Sequence, residues 1–235
     1  MLRIVVMNPK GGSGKTTLST NLASYFSRCG EVTTLMDLDP QGSSVFWAHK
    51  RPENASEIQL VDAHNSPHNV TRSWAIQPPR NTEALILDTP ARPDLTNLSP
   101  LLREASAILI PVLPSEFDLH AVVNTVQHLR RILPSQKNIA LIINRTTKSS
   151  EFKKIADKLS KQLNLPVIAH LRDTRNYTQA ASRGLGVFEM DGSHYENEKT
   201  DVLKIAEWCE AKRPSESERT IKRMNPDTIA LASIA

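Results

Sequence analysis

The chain has 235 residues, 39% of them hydrophobic, so it can bury a full core, and one α/β domain is the natural expectation. Its net charge is a modest +4, and its two cysteines, Cys29 and Cys209, lie far apart; this excludes a disulfide framework or C-x-x-C metal site and points to a reducing cytoplasm. Apolar runs such as 107–113 and 139–143 fall far short of the roughly 20 residues that cross a bilayer, and no signal-peptide pattern precedes the first apolar segment.

Leu2 to Met7 read as a buried parallel strand, and Leu18, Leu22, Tyr25 and Phe26 recur at helical spacing soon after. Between them stand Lys10-Gly11-Gly12-Ser13-Gly14-Lys15-Thr16-Thr17. A glycine-rich turn opening a helix cradles phosphates: its N–H groups point at the oxygens and the helix end adds positive potential. In such a loop Lys15 reaches the β and γ phosphates and Thr16 ligates Mg²⁺. Counting back from Gly14 puts Pro9 where the ordinary loop has its first glycine, and the added Lys10 makes the pattern K-G-G-x-G-K-[ST].

Further along, Val32 to Met36 is a strand leading into Asp37-Leu38-Asp39-Pro40-Gln41-Gly42, and a helix follows near Ser43 to Lys50. Ile58 to Asp62 is a short strand, and Ser66-Pro67 reads as a helix cap with proline behind it. Ala84 to Leu87 is a strand of Walker B form ending at Asp88-Thr89-Pro90, followed by a proline-punctuated helix from Asp94 to Glu104. The strand Ala107 to Val112 precedes the longest helix, which begins at Ser115 and carries Leu119, Val122, Val126 and Leu129 on one face. Then come the strand Ile139 to Ile143, a helix striped by Phe152, Ile155, Leu159 and Leu163, a short strand Val167 to Ala169, a helical turn Arg175 to Ser182, and a last helix through Val202, Ile205 and Cys209.

This alternation predicts a doubly wound, mostly parallel sheet flanked by helices, in one domain over residues 1–211. Residues 212–235 read as a flexible tail. In such a sheet ligands bind outside the carboxyl ends of the strands, so Asp37, Asp39 and Asp88 converge on the glycine loop. Magnesium takes hard oxygen ligands and keeps waters, so Thr16 can bind it directly and Asp88 through water. His49, His64 and His68 form no metal spacing. Charge is uneven: between Arg145 and Arg183 nine bases face three acids, a stretch suited to a polyanion.

The lysine-bearing loop and the D-x-D-x-Q segment at Asp37 resemble the deviant Walker family of P-loop ATPases, the ParA/MinD group. The resemblance implies Mg-dependent ATP hydrolysis, slow and partner-stimulated, with the phosphates held by Lys10 to Thr17. It also implies that Asp39 orients the attacking water and that Asp37 supports the metal and switch region. Lys10 is implied to cross a face-to-face homodimer to the partner's nucleotide. Asn144 is implied to bond the adenine edge, with the segment from Leu171 to Asn176, including Arg175, closing over the base. The chain is most similar to small ParA proteins without an N-terminal helix-turn-helix domain. They imply a cytoplasmic, nucleoid-associated protein that dimerises with ATP, binds DNA non-specifically, and partitions plasmid or chromosome DNA through a ParB-like adaptor. The alternative is a relative that positions a protein cargo, such as carboxysomes or chemoreceptor clusters, through a cargo adaptor. A MinD-like membrane-associated division regulator is a further reading. The apolar end Ile229 to Ala235 is short, so no stable membrane association is expected. Iron-sulfur carriers on this scaffold need cysteine spacings absent here, and an ATP-dependent ligase would need its own substrate pocket.

Overall fold

The computed structural model describes residues 1–64, 77–133, 138–146 and 149–215. Strand β1 (Leu2–Val6) runs through the glycine loop into α1 (Lys15–Arg28), and β2 (Thr33–Asp37) leads to the short α2 (Ser43–Ala48). Next come β3 (Gln59–Asp62), β4 (Ala84–Asp88), α3 (Leu95–Glu104), β5 (Ala107–Val112) and α4 (Glu116–Ile132). Strand β6 (Ile139–Thr146), α5 (Ser149–Leu163), β7 (Val167–Arg172), α6 (Arg175–Ser182) and α7 (Glu196–Glu210) complete the order.

Among the described residues, seven strands form one sheet in the order β3-β2-β4-β1-β5-β6-β7, and each pairing is parallel. This is the doubly wound architecture that the alternation predicts. The chain moves from β1 toward one edge, returns through β4, and then proceeds from β5 toward the other edge. Connections on the two sides of β1 therefore diverge, which opens a crevice at its carboxyl end.

Side chains alternate across the sheet with period two. Leu2, Ile4 and Val6 pack on one side with α1, α6 and α7, while Val5 and Met7 pack on the other with α3, α4 and α5. Both faces are covered, so the central strands read as continuous apolar runs rather than as alternating ones. Leu18 and Leu22 of α1 are fully buried over β1, which fixes the helix whose first turn closes the glycine loop.

Several boundaries differ from the sequence expectation. Strands β6 and β7 each run three residues further, so Asn144 and Arg172 belong to strands rather than to the loops after them. Their pairing shifts register between Ile143 and Thr146, where Arg145 adopts a left-handed φ of 53°. Periodicity reports neither the irregularity nor the strand beyond it. Just past residue 211, Arg213 pairs with Glu31 and Glu210. Ser66-Pro67, His68, the side chain of Phe152 and the chain from 216 onward lie outside the described residues.

A buried ion pair joins the end of α2 to the segment after α6. Arg51, just after α2, donates to both carboxylate oxygens of Glu189 at 3.0 and 2.6 Å, with side chains 9% and 6% exposed. Ser24 of α1 also donates to Glu189 at 2.6 Å. Gly184 lies so close to the end of α2 that an added Cβ would meet the Lys50 carbonyl carbon at 2.4 Å, and its φ of 69° favours glycine as well. Removing one member of a buried pair strands the other charge. Arg51→Ala should therefore lower stability by about 3–5 kcal/mol in urea denaturation.

Candidate nucleotide site

Register builds the site. Val6 pairs with Asp88 and Asp37 also pairs with Asp88, so the glycine loop and two carboxylates emerge in one row from β1, β4 and β2. In the loop, Gly12 and Gly14 have φ values of 74° and 96°. Gly14 caps α1 with no side-chain cap, and no acidic residue occupies the first turn. The helix's opening N–H groups are thus left to an anionic ligand. Ser13 is fully buried, and its Oγ has no hydrogen-bond partner among the described residues.

Asp88 is 1% exposed. Thr16 donates to its Oδ2 at 2.7 Å, Ser44 to the same oxygen at 2.8 Å, and Ser19 to Oδ1 at 3.2 Å. Burial pushes its carboxyl up to about 6, against the hydroxyl bonds from Thr16 and Ser44, which favour the charged form. This all-oxygen set fits Mg²⁺: Thr16 and Asp88 would hold it, and the cation would supply charge for the phosphates. Lys15 is 6% exposed and its Nζ donates to the Lys10 carbonyl at 3.3 Å. Burial lowers the Lys15 pKa, while the charges of Asp88 and Asp39 oppose that shift.

Asp37 has a different set of partners. Its Oδ1 accepts from the Asp39 N–H at 3.0 Å, and its Oδ2 accepts from the Ser44 and Val45 N–H groups at 2.9 and 3.1 Å. Those bonds tie the Asp39 turn to the start of α2, and none of them reaches the Thr16 hydroxyl. Asp39 itself turns the chain by accepting from the Gln41 N–H at 3.0 Å.

Asn144 meets the loop directly. Its Nδ2 donates to the Ser13 carbonyl at 2.8 Å, and its Oδ1 accepts from the Arg145 N–H at 2.8 Å. A Cβ on Gly14 would lie 2.0 Å from that amide nitrogen. Arg175 is exposed at the first residue of α6. Gly11 and Thr17 complete the loop on its outer side and just inside α1.

The Lys10 side chain finds its partner outside the loop. Its Nζ donates to Asp118 Oδ2 at 3.1 Å and stands 5.9 Å over the ring of Phe117, which is 82% exposed. Sequence reasoning missed Asp118, Ser44 and Ser19. Ser115-x-x-Asp118 has the form of a helix start, and Asp118 N–H does donate to Ser115 Oγ, but no local pattern names a lysine 108 residues away as its partner.

These features agree with relatives. The model of the CobQ/CobB/MinD/ParA nucleotide binding domain matches residues 4–187. The chain belongs to this family. Maintenance of carboxysome distribution protein A from Halothiobacillus neapolitanus is 33% identical over 193 residues, 80% of this chain and 87% of that one. The chromosome-partitioning ATPase Soj of Thermus thermophilus is 49% identical, but over 51 residues, 22% of this chain and 20% of Soj. The solved complex of a Cyanothece McdA variant with ATP has the same fold, with a TM-score of 0.69 at 16% identity over 88% of this chain and 96% of its own. The ParA/MinD resemblance drawn from the loop is thereby shown.

Gly14→Ala should abolish ATP binding in calorimetry, because the left-handed φ and the Asn144 contact both forbid a Cβ. A pH test addresses Asp88. Its folded pKa of about 6 exceeds the 3.8 of the unfolded group, so the nucleotide-free protein should lose stability as pH rises from 4 to 6. Asp88→Asn should flatten that part of the profile in thermal melts.

Proposed function

We propose that this chain is an ATP-driven positioning switch of the ParA type whose cargo is a protein assembly. The observation that carries the choice of cargo is the likeness, over 193 residues, to a protein named for carboxysome distribution. The match to Soj, which supports the reading as a plasmid or chromosome partition ATPase with a ParB-like adaptor, spans 51 residues.

In this reading Lys10 to Thr17 hold the phosphates, Thr16 and Asp88 hold Mg²⁺, and Asp39 orients water. Asp37 keeps the Asp39 turn in place. Asn144 already braces the loop at Ser13 and would present its amide beside the adenine, with Arg175 over the base. Phosphoryl transfer depends on charge and position more than on covalent chemistry, and Lys10 supplies its charge to a second subunit. Dimerisation with ATP then creates a DNA-holding state, and a cargo adaptor ends it by stimulating hydrolysis.

The basic stretch is partly absorbed by the fold. Lys158 pairs with Glu116, and Arg172 pairs with Asp201. Arg145, Arg175 and Arg183 are exposed and have no ion-pair partner among the described residues. Arg145 lies on β6 beside the sheet's β7 edge and Arg175 opens α6, whereas Arg183 follows α6 next to Gly184, which packs on the end of α2. They are the phosphate contacts favoured here. No helix among the described residues is long and apolar enough to cross a membrane.

Duplex DNA binding should be strong with Mg–ATP and weak with ADP, and it should fall steeply with salt as Lys and Arg contacts release counterions. Fluorescence anisotropy measures this. Lys10→Ala should bind ATP as a monomer yet lose the ATP-state DNA binding by more than tenfold; equal binding in both nucleotide states would defeat the proposal.

A further inference from the structure

A cavity of about 560 Å³ opens beside Lys10, lined by Pro9, Lys10, Ala91, Arg92, Leu113 and Asp118. Asp118 is 4% exposed. Its Oδ2 receives both Lys10 and the Ser115 hydroxyl, whereas its Oδ1 is buried with no hydrogen-bond partner among the described residues. Half of this carboxylate is therefore unmet in the arrangement seen here.

Arg92 stands on the same cavity. Its backbone has a φ of 56°, a left-handed conformation that only glycine and, less often, asparagine or aspartate adopt routinely. The residue is fixed there, because its N–H donates to the Pro9 carbonyl at 3.0 Å, which joins the segment after Asp88 to the loop before Lys10. Its side chain is exposed and has no ion-pair partner among the described residues. A strained arginine beside a half-satisfied buried carboxylate invites a functional reading.

We propose that Arg92 is the second counterion of Asp118, taking over the carboxylate when Lys10 leaves it for the partner's nucleotide; this rests on the two-subunit reading above. A buried carboxylate stripped of its cation is strongly disfavoured, so Lys10 cannot leave freely. An incoming guanidinium keeps the charge of the pocket constant. A planar guanidinium fork can bond both carboxylate oxygens at once, including the Oδ1 that a single ammonium leaves unmet. Arg92 is thus a positioning residue: it touches no reacting atom and acts by releasing Lys10.

The test uses the full chain with Mg²⁺ and a non-hydrolysable ATP analogue, with dimer formation followed by sedimentation velocity. Arg92→Gly relieves the backbone, so its melting temperature should hold or rise, while its dimer should weaken by about tenfold. Arg92→Asn accepts the same backbone without a charge and should reproduce the loss, and Arg92→Lys should recover part of it. In an Asp118→Asn background, where no charge needs a partner, Arg92→Gly should have no further effect. Undiminished dimerisation of the Gly and Asn variants, or an equal loss in the Asp118→Asn background, would overturn the proposal. A wild-type chain that stays monomeric with the analogue would instead sink the two-subunit reading itself.

Discussion

The shared register of β1, β4 and β2 is the constraint on which the site depends. It sets Val6, Asp88 and Asp37 side by side at the carboxyl ends of three parallel strands. A one-residue slip would turn both aspartates to the opposite faces of the sheet and carry the glycine loop out of line. Hydrophobic packing on two faces prevents that slip, because Ile4 and Val6 must face α1 while Val5 and Met7 face the opposite layer. The chemistry at the strand ends is therefore held by apolar contacts several residues away.

Within that frame Asp88 and Asp37 divide the work. Asp88 gathers hydroxyls from α1 and α2 around an oxygen-rich point, with its carboxyl pKa raised by burial. Asp37 commits both oxygens to backbone N–H groups and so determines where Asp39 sits. Lys10 is held differently, by a carboxylate on α4 rather than by its own loop. The two lysines of one short motif thus face different surroundings: Lys15 buried and turned inward, Lys10 with its side chain 40% exposed at the rim.

Much of this was legible in the sequence. Glycines, lysines and hydroxyls at Lys10 to Thr17 between a strand and a helix specify a phosphate loop because backbone geometry demands that pattern. Apolar periodicity placed the strands and helices to within a few residues. What it could not show depends on three-dimensional pairing. Asp118 reads locally as a helix-start residue, Ser44 as the second residue of a helix, and Asn144 as a strand-end amide; their partners Lys10, Asp88 and Ser13 are 108, 44 and 131 residues away. The strand extensions through Asn144 and Arg172 were missed for a related reason, since the irregular register between β6 and β7 breaks the alternation. Cargo choice was not written in the site at all, because a partition ATPase and a protein-positioning ATPase need the same loop, carboxylates and lysines.

At the centre of the proposed mechanism, ATP would join two copies of the chain. Light scattering on the unmodified protein with saturating Mg²⁺ and a non-hydrolysable ATP analogue, against the same protein with ADP, measures it most directly. About twice the 26.2 kDa chain mass is expected with the analogue and the single-chain mass with ADP. One chain mass in both states, with the analogue demonstrably bound, would contradict it.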